Sequence, residues 1–235
     1  MMLFPGKENT MNENTDTVYN YAVAEGVIAS EPEFSHQVLG ERFYHTVLRT
    51  ERLSTITDNI PVLISERLTE IDSVRTGLRV VVRGQFRSFN WNRKNENRLI
   101  LFLFVREIEY LSEEDEKYAT NQIYLDGFIC KTPCYRRTPL GREIADVMMA
   151  VNRAYGKSDY LPCVFWGRNA RYAADLSVGD RLQIFGRMQS RRYRKRDGET
   201  YIMKEAYEIS VDRMEYIQET AEVTGRVAEP DGKRG

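Results

Sequence analysis

The residues best equipped for chemistry lie between Gly179 and Arg196, GDRLQIFGRMQSRRYRKR. Leu182, Ile184 and Phe185 form the apolar side of a strand, and Gly186 interrupts it where a bulge fits. Beyond the glycine stand Arg187, Arg191, Arg192, Arg194, Lys195 and Arg196, with Tyr193 among them. Cations fixed along a strand track a polyanionic backbone, and an interleaved ring receives an unpaired base. The same composition suits a solvated edge strand kept soluble by its charge. Asp197 and Gly198 predict a hairpin into residues 200–204.

The chain contains this stretch twice. Gly77, Arg79, Gly84, Ser88 and Trp91 repeat as Gly179, Arg181, Gly186, Ser190 and Tyr193, each 102 positions later. Upstream the offset is 101, where Glu25-Gly26, Pro32, Leu39-Gly40, Arg52 and Pro61 return as Asp126-Gly127, Pro133, Leu140-Gly141, Arg153 and Pro162. Ile108 to Leu111 echoes Met214 to Ile217. A unit of about a hundred residues is too long for a solenoid repeat and has the size of a small domain. The expected plan is therefore a segment 1–18 without order, a unit 19–111, an acidic linker 112–120, a unit 121–217 and a mobile tail 218–235.

The apolar alternation that must position these residues has a period of two almost throughout. In the first unit it predicts strands over 19–28, 41–52, 60–64, 77–91 and 99–108, with 30–39 as a loop. Ser65 to Ile71 has a capping serine and helical spacing, and predicts one helix. The second unit repeats the plan with strands at 122–130, 142–152, 160–166, 181–193 and 201–211, a loop at 131–139 and a helix at 169–176. The expected fold is all-β: two tandem OB-folds, five-stranded Greek-key barrels, each with one short helix between its third and fourth strands.

Composition narrows the class. With 42% hydrophobic and 29% charged residues among 235, the chain reads as a soluble globular protein, and no apolar run approaches the roughly 20 residues that cross a bilayer. The first residues lack a basic region followed by an apolar core, so no secretory signal is expected. Cys130, Cys134 and Cys163 lack a second ligand pair, and His36 and His45 lie in the other unit. They read as buried or half-buried thiols, with no metal or cofactor. No phosphate-cradling glycine loop and no HExxH appears, and Glu205 and Glu208 read as partners for arginines, so no enzyme is expected. Residues 1–120 hold 14 basic against 19 acidic side chains, and residues 121–217 hold 17 against 12. The second unit should carry most of an anionic ligand.

The second unit resembles the bacterial single-stranded DNA-binding protein family. Asp126-Gly127, Pro133, Arg137 to Gly141, Ala150 to Arg153, Phe165 to Ala170, Gly179-Asp180, Gly186-Arg187, Ser190-Arg191 and Asp197-Gly198 carry the likeness in family order. The first unit matches more weakly. The resemblance implies OB domains that stack bases on aromatics at Tyr155, Tyr160, Trp166 and Tyr193 and hold phosphates with arginine and lysine. At the matching positions the first unit has Ser54, Asn59, Ser65 and Trp91, so one ring survives, with Phe89 as a possible second. Arg136, Arg137, Arg153, Arg168, Arg187, Arg191, Arg192, Arg194 and Lys195 are the phosphate candidates, with Lys157 and Arg196 behind them. Arg87, Arg93 and Lys94 read as a solvated face.

The resemblance further implies coating of exposed single-stranded DNA in replication, recombination and repair, in the cytoplasm with the nucleoid. It also implies four OB domains per assembly, reached here by a homodimer. Family members end in an acidic tip that recruits replication and repair proteins. Here Asp231 to Gly235 includes Lys233 and Arg234, so that recruitment is not carried over. The alternative is a non-enzymatic replication or mobile-element scaffold, in which the acidic first unit makes protein contacts or dimerises.

Overall fold

A computed structural model describes residues 19–218, apart from 53, 55, 94, 95, 117–119, 154, 155 and 199; the side chains at 91–93, 96, 97, 195 and 197 are also outside the description. The segments 1–18 and 219–235, expected to be unstructured, lie outside the described residues.

The first repeat forms β1 (Asn20–Ile28), β2 (Glu33–Val38), β3 (Glu41–Glu51), β4 (Thr57–Ser65), β5 (Arg79–Arg93) and β6 (Glu96–Leu111). The second forms β7 (Asn121–Ile129), β8 (Cys134–Arg137), β9 (Glu143–Asn152), β10 (Ser158–Trp166), the helix α1 (Gly167–Ala174), β11 (Arg181–Asp197) and β12 (Thr200–Ile217). In each repeat the first strand pairs with the fourth long strand and closes back onto the second, β1 on β5 and β3, β7 on β11 and β9. The parallel pairs β4–β6 and β10–β12 complete two barrels of OB type. Alternation gives the long barrel strands a buried side: Ala22, Ala24, Val80 and Val82 fill one core, and Leu125, Met149, Phe165 and Leu182 the other.

Two segments expected as loops form short edge strands, β2 on β3 and β8 on β9. Their side chains are exposed and show no alternation, so periodicity carried no signal; the pairing comes from β3 and β9 offering free edges. The helix expected at residues 65–71 is also absent. Its place is taken by turns and a 3-10 turn at Ile71–Ser73. In α1, Ala170 and Ala173 are buried, small enough to lie against the barrel. The first repeat is one residue shorter between Pro61 and Gly77 than the second is between Pro162 and Gly179, and its apolar residues there find no such wall: Leu68 is exposed and Ile71 half-buried.

The long hairpins turn on a bulge that both repeats share. The register slips between Arg83 and Gly84 and between Phe185 and Gly186. A Cβ on Gly186 would stand 2.2 Å from the Ser210 carbonyl oxygen, and one on Gly84 2.0 Å from that of Phe104. Backbone cannot retreat as a flexible side chain can. Gly186→Ala is expected to cost about 3 kcal/mol or more, lowering the midpoint of thermal unfolding by roughly 6–12 °C. A midpoint within 2 °C of the parent protein would show that the bulge can shift.

The repeats join through their first strands. β1 and β7 pair antiparallel with Tyr21 opposite Tyr124, Ala22 opposite Ile123 and Val23 opposite Gln122. A repeat offset of 101 with this register places a pseudo-two-fold axis at Ala22 and Ile123. The symmetry extends into side chains. Asn20 exchanges two hydrogen bonds with the Phe86 backbone at 2.7 and 3.0 Å, and Asn121 does the same with Met188 at the same distances. On the face turned away from the barrels, Arg79 meets Glu25 and Arg181 meets Asp126, each at 2.8 Å.

Candidate nucleic-acid interface

Two further symmetric contacts make the seams between repeats. The Asp58 carboxylate of β4 accepts from the Ser190 N–H of β11 at 2.8 Å, and the Ser190 hydroxyl accepts from the Asn59 N–H at 3.0 Å. The mirror contact has Asp159 of β10 accepting from the Ser88 N–H of β5 at 2.7 Å, and Ser88 accepting from the Tyr160 N–H at 2.7 Å. Asp58 and Asp159 are both buried and each faces an arginine: Arg52 at 2.6 Å and Arg153 at 3.4 Å. Burial pushes the Asp159 carboxyl up, against the opposing pull of Ser88 and Arg153.

Beside the Asp58 seam lies a groove of about 760 Å³, with Arg52 and Ile56 from the first repeat and Trp166, Arg187, Arg191 and Arg192 from the second along its walls. Trp166 ends β10 immediately before α1, with extended backbone, and its indole N–H donates to the Ser210 hydroxyl at 3.1 Å. That bond fixes the ring while leaving 37% of the residue exposed. The ring is therefore accessible and not packed into the core. Arg187 leans toward Asp212 at 3.7 Å and donates to Gln189 Oε1 at 3.2 Å, while Arg191 leans toward Glu208 at 3.7 Å, distances at which both carboxylates hold their guanidiniums only loosely. Arg192 stands 3.9 Å from Glu205. Arg191 and Arg194 lie over the rings of Tyr193 and Tyr201, at 5.5 and 5.2 Å from the centroids. The arrangement can neutralise successive phosphates while offering rings at the same level.

The remaining candidates are dispersed. Tyr160 is exposed, but at the opposite seam, next to Ser88. Arg168 is exposed on α1. Arg136 and Arg137 sit on edge strand β8, hydrogen-bonded to Asp146 at 2.8 Å and reaching Glu143 at 3.5 Å, away from the groove walls. Tyr155 lies outside the described residues, as do the side chains of Lys195 and Trp91; Trp91 has its backbone in β5. Of the cysteines, Cys163 is buried and Cys130 half-buried, but Cys134 is exposed on β8, against expectation.

Sequence comparison missed Arg52 and Arg142 in the groove, although Arg52 was already paired with Arg153 by the repeat. It also missed rings in the first repeat. Phe43 and Phe104 lie 6.1 Å apart, and His36 stacks on Phe43 at 5.0 Å. Across the pseudo-two-fold, Phe43 corresponds to Ile144 and Phe104 to Ser210, while Ser65 corresponds to Trp166. The aromatic volume has moved to neighbouring strands, which a position-by-position comparison cannot follow. Arg87, expected on a solvated face, is instead half-buried.

The single-strand binding protein family model matches residues 120–217. Single-stranded DNA-binding protein 2 of Listeria innocua is 33% identical over 102 residues, 40% of this chain and 64% of that protein. The single-stranded DNA-binding protein of Bacillus cereus is 33% identical over 102 residues, 40% of this chain and 60% of its own. Single-stranded DNA-binding protein 3 of Listeria innocua is 32% identical over 108 residues, 43% of this chain and 68% of that protein. The chain thus spans under two thirds of the first two relatives. The crystal structure of the wild-type single-stranded DNA binding protein from Thermus aquaticus superposes with a TM-score of 0.69 at 19% identity, over 92% of this chain and 96% of that one. A deletion mutant of the same protein gives 0.65 at 20% identity, over 85% and 95%. These two likenesses extend the fold across both repeats.

Proposed function

Since this chain belongs to the single-strand binding protein family, we propose that it coats exposed single-stranded DNA without sequence preference and without catalysis. The observation that carries the reading is the groove where a half-exposed Trp166 stands among Arg52, Arg187, Arg191 and Arg192. Cations release counterions from the phosphates and the ring receives a base; neither contact reads the base edge. Replication, recombination and repair in the cytoplasm are the settings where such strands arise. The working units are residues 19–111 and 121–217.

A homodimer of four barrels is part of the proposal. Its support is the outer side of the central sheet, β6-β5-β1-β7-β11-β12, where Tyr21, Val23, Val81, Tyr124 and Phe185 remain half-buried around the pseudo-two-fold axis. Tyr124 and Phe185 contact at 5.0 Å, and Arg213 lies over Phe185 at 4.0 Å.

The test is titration of oligo(dT) into a Trp91→Phe variant, so that Trp166 alone reports, at several salt concentrations with duplex as competitor. Deep quenching is expected, unmoved by duplex, with log K falling against log salt at a slope of roughly −3, the value for about four neutralised phosphates. No quenching and no binding at low salt would reject the reading and favour a protein scaffold.

A further inference from the structure

The pseudo-two-fold axis makes the two seams comparable residue by residue, and they differ in charge. Around Asp58, the arginines face carboxylates: Arg187 faces Asp212, and Arg191 faces Glu208. Around Asp159, the ladder places Arg87 where Gln189 stands, Phe102 where Glu208 stands and Phe104 where Ser210 stands. Arg106 follows at the bulge, matching Asp212. Two carboxylates have been exchanged for a ring and a cation.

The cations converge. The Arg87 guanidinium lies over the Phe104 ring at 4.1 Å from its centroid, and that of Arg106 at 5.1 Å. Arg153 approaches from the second repeat. Burial, then the charges of Arg106 and Arg153, press the Arg87 pKa down to about 10. The carboxylate that balances them is Asp159, and it is committed elsewhere, accepting from Ser88. Arg153 Nε and Asp159 Oδ2 are both buried and face each other at 3.4 Å without a formed hydrogen bond. Three guanidiniums against one carboxylate leave a partly desolvated site with surplus positive charge. Tyr160, exposed, is tied by its N–H to Ser88, the residue next to Arg87.

We propose that Arg87 and Arg106 of the first repeat, with Arg153 of the second, form a phosphate clamp at the Asp159 seam for a single strand whose adjacent base stacks on Tyr160. The proposal rests on the single-strand reading and extends it to the repeat that lost its rings. Phe104 is a positioning residue: its ring attracts both the Arg87 and the Arg106 guanidinium and so opposes their mutual repulsion. Guanidinium forks suit phosphodiester oxygens, and each neutralised phosphate releases counterions.

The test is the salt dependence of binding by Arg87→Gln/Arg106→Gln in the Trp91→Phe background. Glutamine already occupies the position matching Arg87, as Gln189, so folding is expected to survive; the thermal midpoint checks it. Two probes are used, an oligo(dT) of about 8 nucleotides, within the 4–16 typical of one OB-fold, and one of about 35 that spans both repeats. With the long strand, the slope of log K against log salt is expected to become less negative by about 1.4, the value for two phosphates. That corresponds to an affinity loss about sevenfold larger at 50 mM than at 200 mM salt. The short strand, held by the Trp166 groove, is expected to bind unchanged. Phe104→Leu should shift the long-strand slope the same way, and Phe104→Tyr should restore it. Equal slopes for parent and double variant overturn the clamp while leaving the Trp166 reading intact. A parent protein whose Trp166 does not respond to either strand overturns both.

Discussion

Alanine at both Trp166 and Tyr160 is expected to weaken oligo(dT) binding at least about 30-fold, measured by anisotropy of a labelled strand at fixed salt. Removing a stacking ring costs roughly 1–3 kcal/mol per base, and the two rings lie at opposite seams, so their losses should add. Neither ring is part of a barrel core. Trp166 is 37% and Tyr160 42% exposed, and their backbone pairs with β9 through register that alanine preserves. The thermal midpoint should therefore move little while affinity falls. Phenylalanine at both positions should recover most of the loss, since a ring without a polar handle still stacks. A double variant that binds within threefold of the parent would place the bases elsewhere on the surface.

The second large effect is on stability. Asp58→Ala is expected to destabilise the protein by about 3–5 kcal/mol, lowering the thermal midpoint by roughly 6–20 °C. The carboxylate is fully buried and accepts from Arg52 Nε and Nη2, both at 2.6 Å, and from the Ser190 N–H at 2.8 Å. Its removal strands a mostly buried guanidinium and an unpaired backbone donor in the same place. It also releases one of the two clasps between the repeats. Asp58→Asn keeps an acceptor for Ser190 and loses the charge, so an intermediate shift is expected. A change below 2 °C for alanine would mean that β1–β7 pairing and the Asp159 clasp hold the repeats together without Asp58.

Much of this architecture was written locally. Alternation of apolar residues marked the long strands, because a half-buried strand must alternate. Gly84 and Gly186 marked the bulges, because a side chain there would strike a carbonyl of the neighbouring strand. The 101-residue offset marked two units of the same plan. Edge strands β2 and β8 stayed hidden because nothing buries their side chains. No helix forms at residues 65–71, because a capping serine and helical spacing describe a segment alone, whereas α1 exists through the barrel wall that Ala170 and Ala173 touch.

The site divides along the same line. Residue types and spacing by themselves determined that the second repeat carries cations with a ring among them and that the chain resembles single-strand binders; the resemblance, in turn, pointed to Trp166 and Tyr160 as candidates for stacking. Only the tertiary structure decided which of them lie together. Arg52 joins Trp166 because β4 of one repeat meets β11 of the other; Arg136 and Arg137 are held by Asp146 and Glu143 on an edge strand instead. Arg87, Arg106 and Phe104 gain meaning from Arg153, which stands in the other repeat. Charge and stacking act through space over a few ångströms, and the partners at that distance are set by strand register and a pseudo-two-fold axis, which the order of residues along the chain does not display.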